Sequence, residues 1–160
     1  MKKQPGIETD LNHAVVKVLS VSPIEDDHVS LERSAGQSGK AMHTDSRWAV
    51  QRSSTLDSAL LHLRESRIPV VVCERDLSPG TWLDILEEVL LMPYSPCLIV
   101  TSRLADNRLW AEALNLGAWD VMAKPFEHAE VIRILSAAWR HWNDQHGVPV
   151  RSVNVMKAAS

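Results

Sequence analysis

Apolar runs and helical stripes alternate along the chain from Val15 to Trp142, and the alternation is regular enough to predict every element. Strands are expected over Val15–Val21, Arg47–Arg52, Val70–Glu74, Pro96–Thr101 and Ala118–Met122. The third and fourth are apolar almost throughout, the pattern of parallel strands covered on both faces. Between them the spacing changes to that of one-sided helices: Glu25–Ala35, Leu56–Glu65 with Leu56, Leu60 and Leu63 on one face, Trp82–Leu91, Asn107–Leu116 stopped by Gly117, and Glu127–Trp142 with Val131, Leu135 and Trp139 in register. The sum is (βα)5, an α/β chain. Right-handed crossovers place helices on both faces of such a sheet, so the expected form is an open, doubly wound three-layer α/β/α sandwich with a parallel five-stranded sheet. One connection departs from the pattern: Ala35–Arg47, rich in Gly, Ser and polar residues, is long for a helix-to-strand loop. Residues 1–13 and 144–160 read as irregular tails around a domain at 14–143, and too few residues follow Trp142 for a second domain.

Chemistry in a doubly wound sheet gathers where the carboxyl ends of the strands meet a switch point in strand order. "VVVCERDLSPGTW" brings Glu74 to that rim. Composition narrows what the rim can do. In 160 residues, 45% apolar and 23% charged, the formal net charge is -3, and the one basic cluster is Lys2–Lys3, which argues against nucleic acid as a direct partner. No apolar run reaches bilayer length and no apolar stretch follows the basic start, so no membrane association and a cytoplasmic location are expected. Cys73 and Cys97 each sit inside an apolar run at opposite ends of neighbouring strands, which predicts two reduced, buried thiols.

The seven histidines show neither HExxH nor paired spacing with cysteines; no metal site is expected, and they read as surface or boundary residues. "GQSGKAM" lacks the glycine spacing and the terminal Ser/Thr of a phosphate loop. Six tryptophans against one Tyr and one Phe is a biased choice of aromatics. Trp110, Trp119 and Trp139 fall on the fourth helix, fifth strand and fifth helix, and are candidates for a partner face.

Four stretches together resemble the receiver domain of bacterial two-component response regulators, over roughly Val15 to Trp142. "VKVLSVSPIEDD" resembles the first strand and its loop, "VVVCERDLSPGTW" the phosphoacceptor strand, "CLIVTSR" the fourth strand with its Thr/Ser, and "LGAWDVMAKPF" the fifth with its Lys-Pro. The resemblance implies a flavodoxin-like, CheY-like fold with strand order 2-1-3-4-5. Position by position it implies Glu74 as the phosphoacceptor equivalent, Ser22 and Pro23 as the equivalents of the Mg²⁺-holding acidic pair, and Thr101 and Lys124 as phosphoryl contacts. Val121 takes the position of the switch aromatic.

Three of those positions depart from the family's chemistry. Ser22 and Pro23 offer little to Mg²⁺, which wants near-octahedral oxygen ligands. They read instead as a helix start, Ser22 as N-cap, Pro23 at the first helical position and Glu25 closing a capping box. Glu in place of Asp moves a nucleophilic oxygen by about the distance that costs a hundredfold in rate. Without the acidic pair, Glu74 is free to neutralise Lys124 and to orient Thr101. The expectation is a degenerate, stand-alone receiver: not an enzyme, without Mg²⁺ or other cofactor, a phosphorylation-independent interaction module. Its partners would be a histidine kinase or downstream effector, or a second copy through the fourth helix, fifth strand and fifth helix. Two alternatives stay open. One is a receiver still phosphorylated, with Asp26 or Asp27 swinging in for Mg²⁺ and Asp76 or Glu74 as acceptor; otherwise Asp26 and Asp27 are first-turn acids favouring the helix dipole. The other is a small flavin- or nucleotide-binding protein of the same fold, disfavoured by the glycine-poor, acidic "SPIEDD" loop.

Overall fold

The computed structural model describes residues 15–42 and 48–147, without the side chains of 37–42. Residues 1–14, 148–160 and the 43–47 part of the long connection therefore lie outside the described residues. Five parallel strands, β1 (Val16–Val21), β2 (Trp48–Ser53), β3 (Val70–Glu74), β4 (Cys97–Ser102) and β5 (Asp120–Ala123), form one sheet in the order β2-β1-β3-β4-β5. The helices between and after them are α1 (Glu25–Met42), α2 (Leu56–Glu65), α3 (Trp82–Leu90), α4 (Asn107–Leu116) and α5 (His128–His146). This is the expected fold and strand order.

Strand side chains alternate between two cores. Leu19, Val21, Val71, Cys73, Leu98, Val100 and Val121 face α2, α3 and α4, whereas Val18, Val70, Val72, Ile99 and Met122 face α1 and α5. Both faces of β3 and β4 are buried, which is why those strands read as unbroken apolar runs. The same parity decides where the rim side chains go. Ser20, Ser22, Glu74, Thr101 and Lys124 are in phase with Val18, Val72, Ile99 and Met122, and so lean toward α1 and α5 rather than toward the other layer.

Local chemistry ends the helices where the sequence marks them. Thr55 caps α2 and Asp106 caps α4. Thr81 and Asp84 form a full capping box on α3, with Leu83 N donating to Thr81 Oγ1 at 3.1 Å and Thr81 N to Asp84 Oδ2 at 2.9 Å. Gly117 closes α4 at φ 117°, a backbone region that side chains with a Cβ rarely adopt.

Three expectations are corrected. The first helix does not stop at Ala35 but runs to Met42, taking in most of the supposed loop; Gly36 meets no neighbour and its conformational cost does not break the helix. The fifth helix continues past Trp142 to His146. The capping box at α1 is not formed as read. Ser22 Oγ does accept the Ile24 N–H at 3.0 Å, but the helix begins at Glu25, and Glu25 pairs with Arg52 on β2 rather than reaching back. Arg52 also holds Glu32 through two hydrogen bonds of 2.8 and 2.6 Å. That bonded guanidinium keeps the Glu32 carboxyl below its ordinary pKa, although as an exposed pair it adds little stability.

Candidate functional site at the sheet rim

The rim is assembled by backbone bonds that continue the sheet past its last residues. Ser22 N donates to Ser53 O at 3.0 Å, Arg75 N to Thr101 O at 2.8 Å, and Lys124 N to Ser102 O at 3.0 Å. These latches fix the stems of the loops after β1, β3 and β5, and with them Ser22, Glu74 and Lys124.

Lys124 is the centre of the site. Its Nζ lies 2.5 Å from Glu74 Oε1 and donates to Asp27 Oδ2 at 2.8 Å, and the three side chains are only 7%, 7% and 12% exposed. The contact to Glu74 is one of charge more than of direction, because Oε1 has no donor at hydrogen-bonding angle; Oε2 accepts the Asp76 N–H at 3.0 Å. Ser22 Oγ donates to the same Asp27 oxygen at 2.6 Å. Burial disfavours the ammonium charge, but the hydrogen bond to Asp27, the close contact with Glu74 and the charges of both carboxylates outweigh it, and Lys124 is held above the ordinary lysine value. One cation is thus enclosed by two carboxylates supplied by α1 and β3.

Asp27 is the residue the sequence reading placed wrongly. Asp26 is exposed, as a first-turn acid should be, but Asp27 turns inward onto Lys124. Beneath it lies a second unforeseen residue. His28 is 2% exposed, shares a hydrogen bond with Ser20 Oγ at Nδ1 (2.7 Å) and donates from Nε2 to Ser22 O (2.9 Å). His28 is therefore a correction to the expectation of surface histidines, and His128, half-buried, bonds Ser34 O at 2.6 Å. A continuous polar chain results: Ser20, His28, Ser22, Asp27, Lys124, Glu74.

The remaining positions are placed plainly. Thr101 is buried beside Glu74 in register, yet among the described residues no hydrogen bond joins it to Glu74 or Lys124, so its orientation by Glu74 is not observed. Pro23 is exposed and has no part in the site. Val121 is packed in the core against α4, 5% exposed, where no aromatic swings. Asp76 is 71% exposed and pairs with Arg75. Cys73 and Cys97 are free and buried; burial first, then the Glu74 charge, raises the Cys73 thiol, and burial pushes Cys97 up to about 11.

Of the tryptophans, only Trp110 stands out from the surface, 49% exposed. Trp119 stacks on His141 with ring centres 4.6 Å apart, Trp139 stacks on Trp142 at 6.0 Å, and both pack against the α1–α5 core. The three do not form one open face.

Beside Lys124 a depression of about 330 Å³ is lined by Asp26, Asp27, Ser30, Arg103, Pro125 and Phe126. A divalent cation fits poorly here, because the inward oxygens of Asp27 and Glu74 are already turned on an ammonium and the Ser22 hydroxyl is engaged both as donor to Asp27 and as acceptor from the Ile24 N–H. Among the described residues no group of three His, Cys, Asp or Glu side chains converges as a metal set, and no helix is long and apolar enough to cross a membrane.

No family model and no curated protein sequence matches the chain. Solved structures do. The chain is similar to the chemotaxis response regulator CheY4 of Vibrio cholerae at 15% identity and TM-score 0.66, covering 78% of this chain and 99% of that one. It is similar to a putative response regulator from Chloroflexus aurantiacus at 18% identity and TM-score 0.69, covering 79% and 98%. The beryllofluoride-activated NtrC4 receiver domain dimer gives 19% identity and TM-score 0.68 over 79% and 98%.

Proposed function

We propose that this chain, which has the fold of response-regulator receiver domains, acts as a signalling docking module whose state is fixed without phosphorylation. The observation that carries this reading is the Lys124 ammonium enclosed by Glu74 and Asp27. Phosphoryl transfer onto a strand-end carboxylate needs an oxygen of that carboxylate open to in-line attack and a metal to neutralise developing charge. Here one ammonium occupies both carboxylates. The module would then present a single conformation to a protein partner in the cytoplasm, with no reaction of its own and no Mg²⁺. Incubation with acetyl phosphate and Mg²⁺, followed by intact mass, is expected to leave the mass unchanged; a stoichiometric phosphoryl adduct would end the proposal.

A second reading has one specific observation in its favour: Asp27 does reach the site from α1. If Lys124 swung away, Asp27 and Glu74 would offer two carboxylates to a divalent cation. The same adduct would support it. A flavin or nucleotide ligand finds no such support, since the loop after β1 carries acids where phosphate would need amides.

Trp110 is the exposed aromatic left for a partner face at α4. Trp110→Ala is expected to reduce any self-association seen by sedimentation without altering the melting temperature. Trp119→Ala should instead lower the melting temperature, because its ring packs on the core. Unchanged sedimentation of Trp110→Ala would remove α4 from the docking face.

A further inference from the structure

The amino ends of the strands, opposite Glu74, are where residues 1–14 join the sheet. Parallel pairing sets Val18 beside Val70, and the same register places Val15 level with Arg67, one strand spacing away, about 4.8 Å. Val15 is 67% exposed and in phase with Lys17, Leu19 and Val21, so it leans to the side of α2 and α3. Lys17 takes that direction too, its Nζ donating to Ser66 Oγ at 3.4 Å.

An open cleft of about 410 Å³ begins at that point, between the last turns of α2 and α3. Its floor is apolar: Leu63, Ile68 and Pro96 are buried and Met92 is half-buried. Its edges are basic. Arg64 and Arg67 are exposed, the Arg67 guanidinium lies 3.6 Å over the ring of Tyr94, and Lys17 approaches from β1. Among the described residues none of these three cations pairs with a carboxylate, and Glu65 is the one acid that lines the cleft.

An apolar floor with basic edges suits a segment that carries aliphatic side chains and acids together. The chain has one next to the cleft: "IETDL", residues 7–11, holds Ile7, Leu11, Glu8 and Asp10 and no base. Lys2 and Lys3 stand on its far side, beyond Pro5 and Gly6. Leu11 is four residues from Val15, a reach of up to about 14 Å, and Ile7 is eight, up to about 28 Å. The other end of the chain has the wrong sign for these edges, since residues 148–160 carry Arg151 and Lys157 and no acid.

We propose that residues 7–11 dock in this cleft of their own chain, with Ile7 and Leu11 on the apolar floor and Glu8 and Asp10 against Arg64 and Arg67. The contact stands at the far end of the sheet from Lys124 and does not rest on the reading of the rim.

A nitroxide attached to Thr9→Cys in the full ¹⁵N-labelled chain tests it; Cys73 and Cys97 are buried, so the label goes to the new thiol. The amides of Ser66 and Tyr94 are expected to broaden well beyond that of Trp48, and equally so on dilution. Trp48 pairs with Val16 on the other side of β1, so a segment that only diffused about Val15 would broaden both sides alike. Arg64→Glu combined with Arg67→Glu, both at exposed positions, is expected to cut the docked fraction at least about fivefold at unchanged melting temperature, because two attractions become repulsions. Leu11→Asp removes an aliphatic anchor and should act in the same direction. Equal broadening on the two sides of β1, or broadening that neither variant reduces, would overturn the proposal. So would broadening passed from labelled to unlabelled copies in a mixed sample, which would make a second chain the donor of the segment. A label on Lys157→Cys that broadens Ser66 and Tyr94 more than the Thr9→Cys label does would give the cleft to residues 148–160 instead, and overturn it as well.

Discussion

Lys124→Met is expected to lower unfolding free energy by about 3–5 kcal/mol, the cost of removing one partner from a buried ion pair. Methionine keeps the apolar stem and removes the ammonium, both its charge and its hydrogen bond to Asp27. It leaves Asp27 and Glu74 facing one another, 12% and 7% exposed, with no cation between them. Like charges in a poorly solvated site repel more strongly than at the surface, so the loss should exceed that of any exposed pair, Arg52–Glu32 included. The variant should also acquire what the parent lacks: millimolar Mg²⁺ or Ca²⁺ is expected to raise its melting temperature and leave that of the parent unchanged. The parent's pH dependence has a definite sign. Lys124 has a raised pKa in the folded chain, so its stabilisation is fully present below the unfolded lysine value, about 10.4, and is lost as pH rises through the higher folded value. Lys124→Met should lack that alkaline loss. Urea unfolding of both proteins from neutral to strongly alkaline pH measures it. Equal stability at neutral pH would mean that Lys124 is not the site's counter-ion.

His28→Ala is expected to cost about 3–4 kcal/mol by the same measurement. Two effects add: a buried ring is deleted, leaving a cavity, and the Ser22 carbonyl and Ser20 hydroxyl lose their partners. The two can be separated. Pairing His28→Leu with Ser20→Ala fills the space and removes one orphan, and should recover part of the loss. The residue that stays unmatched is the Ser22 carbonyl, whose side chain orients Asp27, so the remaining deficit measures how far the site depends on the layer beneath it. A cost below about 1 kcal/mol for His28→Ala, the scale of a surface substitution, would show that the polar chain under Asp27 adds nothing.

The difference between what could and could not be read from sequence lies in periodicity. The strands were legible because β3 and β4 are apolar on both faces, and Gly117 marked the end of α4; the caps Thr55, Thr81 and Asp106 are seen only in the structure. Glu74 was legible at the rim because it ends a strand whose place in the sheet follows from the fold, and Lys124 was legible as its neighbour through the resemblance carried by "LGAWDVMAKPF". Asp27 and His28 were not, although a signal existed. Asp27, Leu31 and Ala35 are spaced i, i+4, i+8, and His28, Leu31 and Ala35 i, i+3, i+7, so both polar residues lie on the buried stripe of α1. Strand parity aims Glu74 at that same helix. Reading the acids by their position in the first turn, rather than by the face they share with Leu31, assigned Asp27 to the dipole and left His28 on the surface. The extension of α1 to Met42 had no such signal, since Gly36, Ser38 and Gly39 interrupt it and a loop was the local preference.

The account stands or falls on whether the rim is closed by its own ammonium. Its most direct test is titration of the ¹⁵N-labelled chain with Mg²⁺ and then beryllofluoride, followed at the amides of Asp27, Glu74, Asp76, Thr101 and Lys124. The account predicts that these resonances do not move at millimolar Mg²⁺, with or without beryllofluoride. Saturable shifts centred on Glu74 and Asp27 would contradict it, and would show that Lys124 yields its place to a metal and that the site is a working switch.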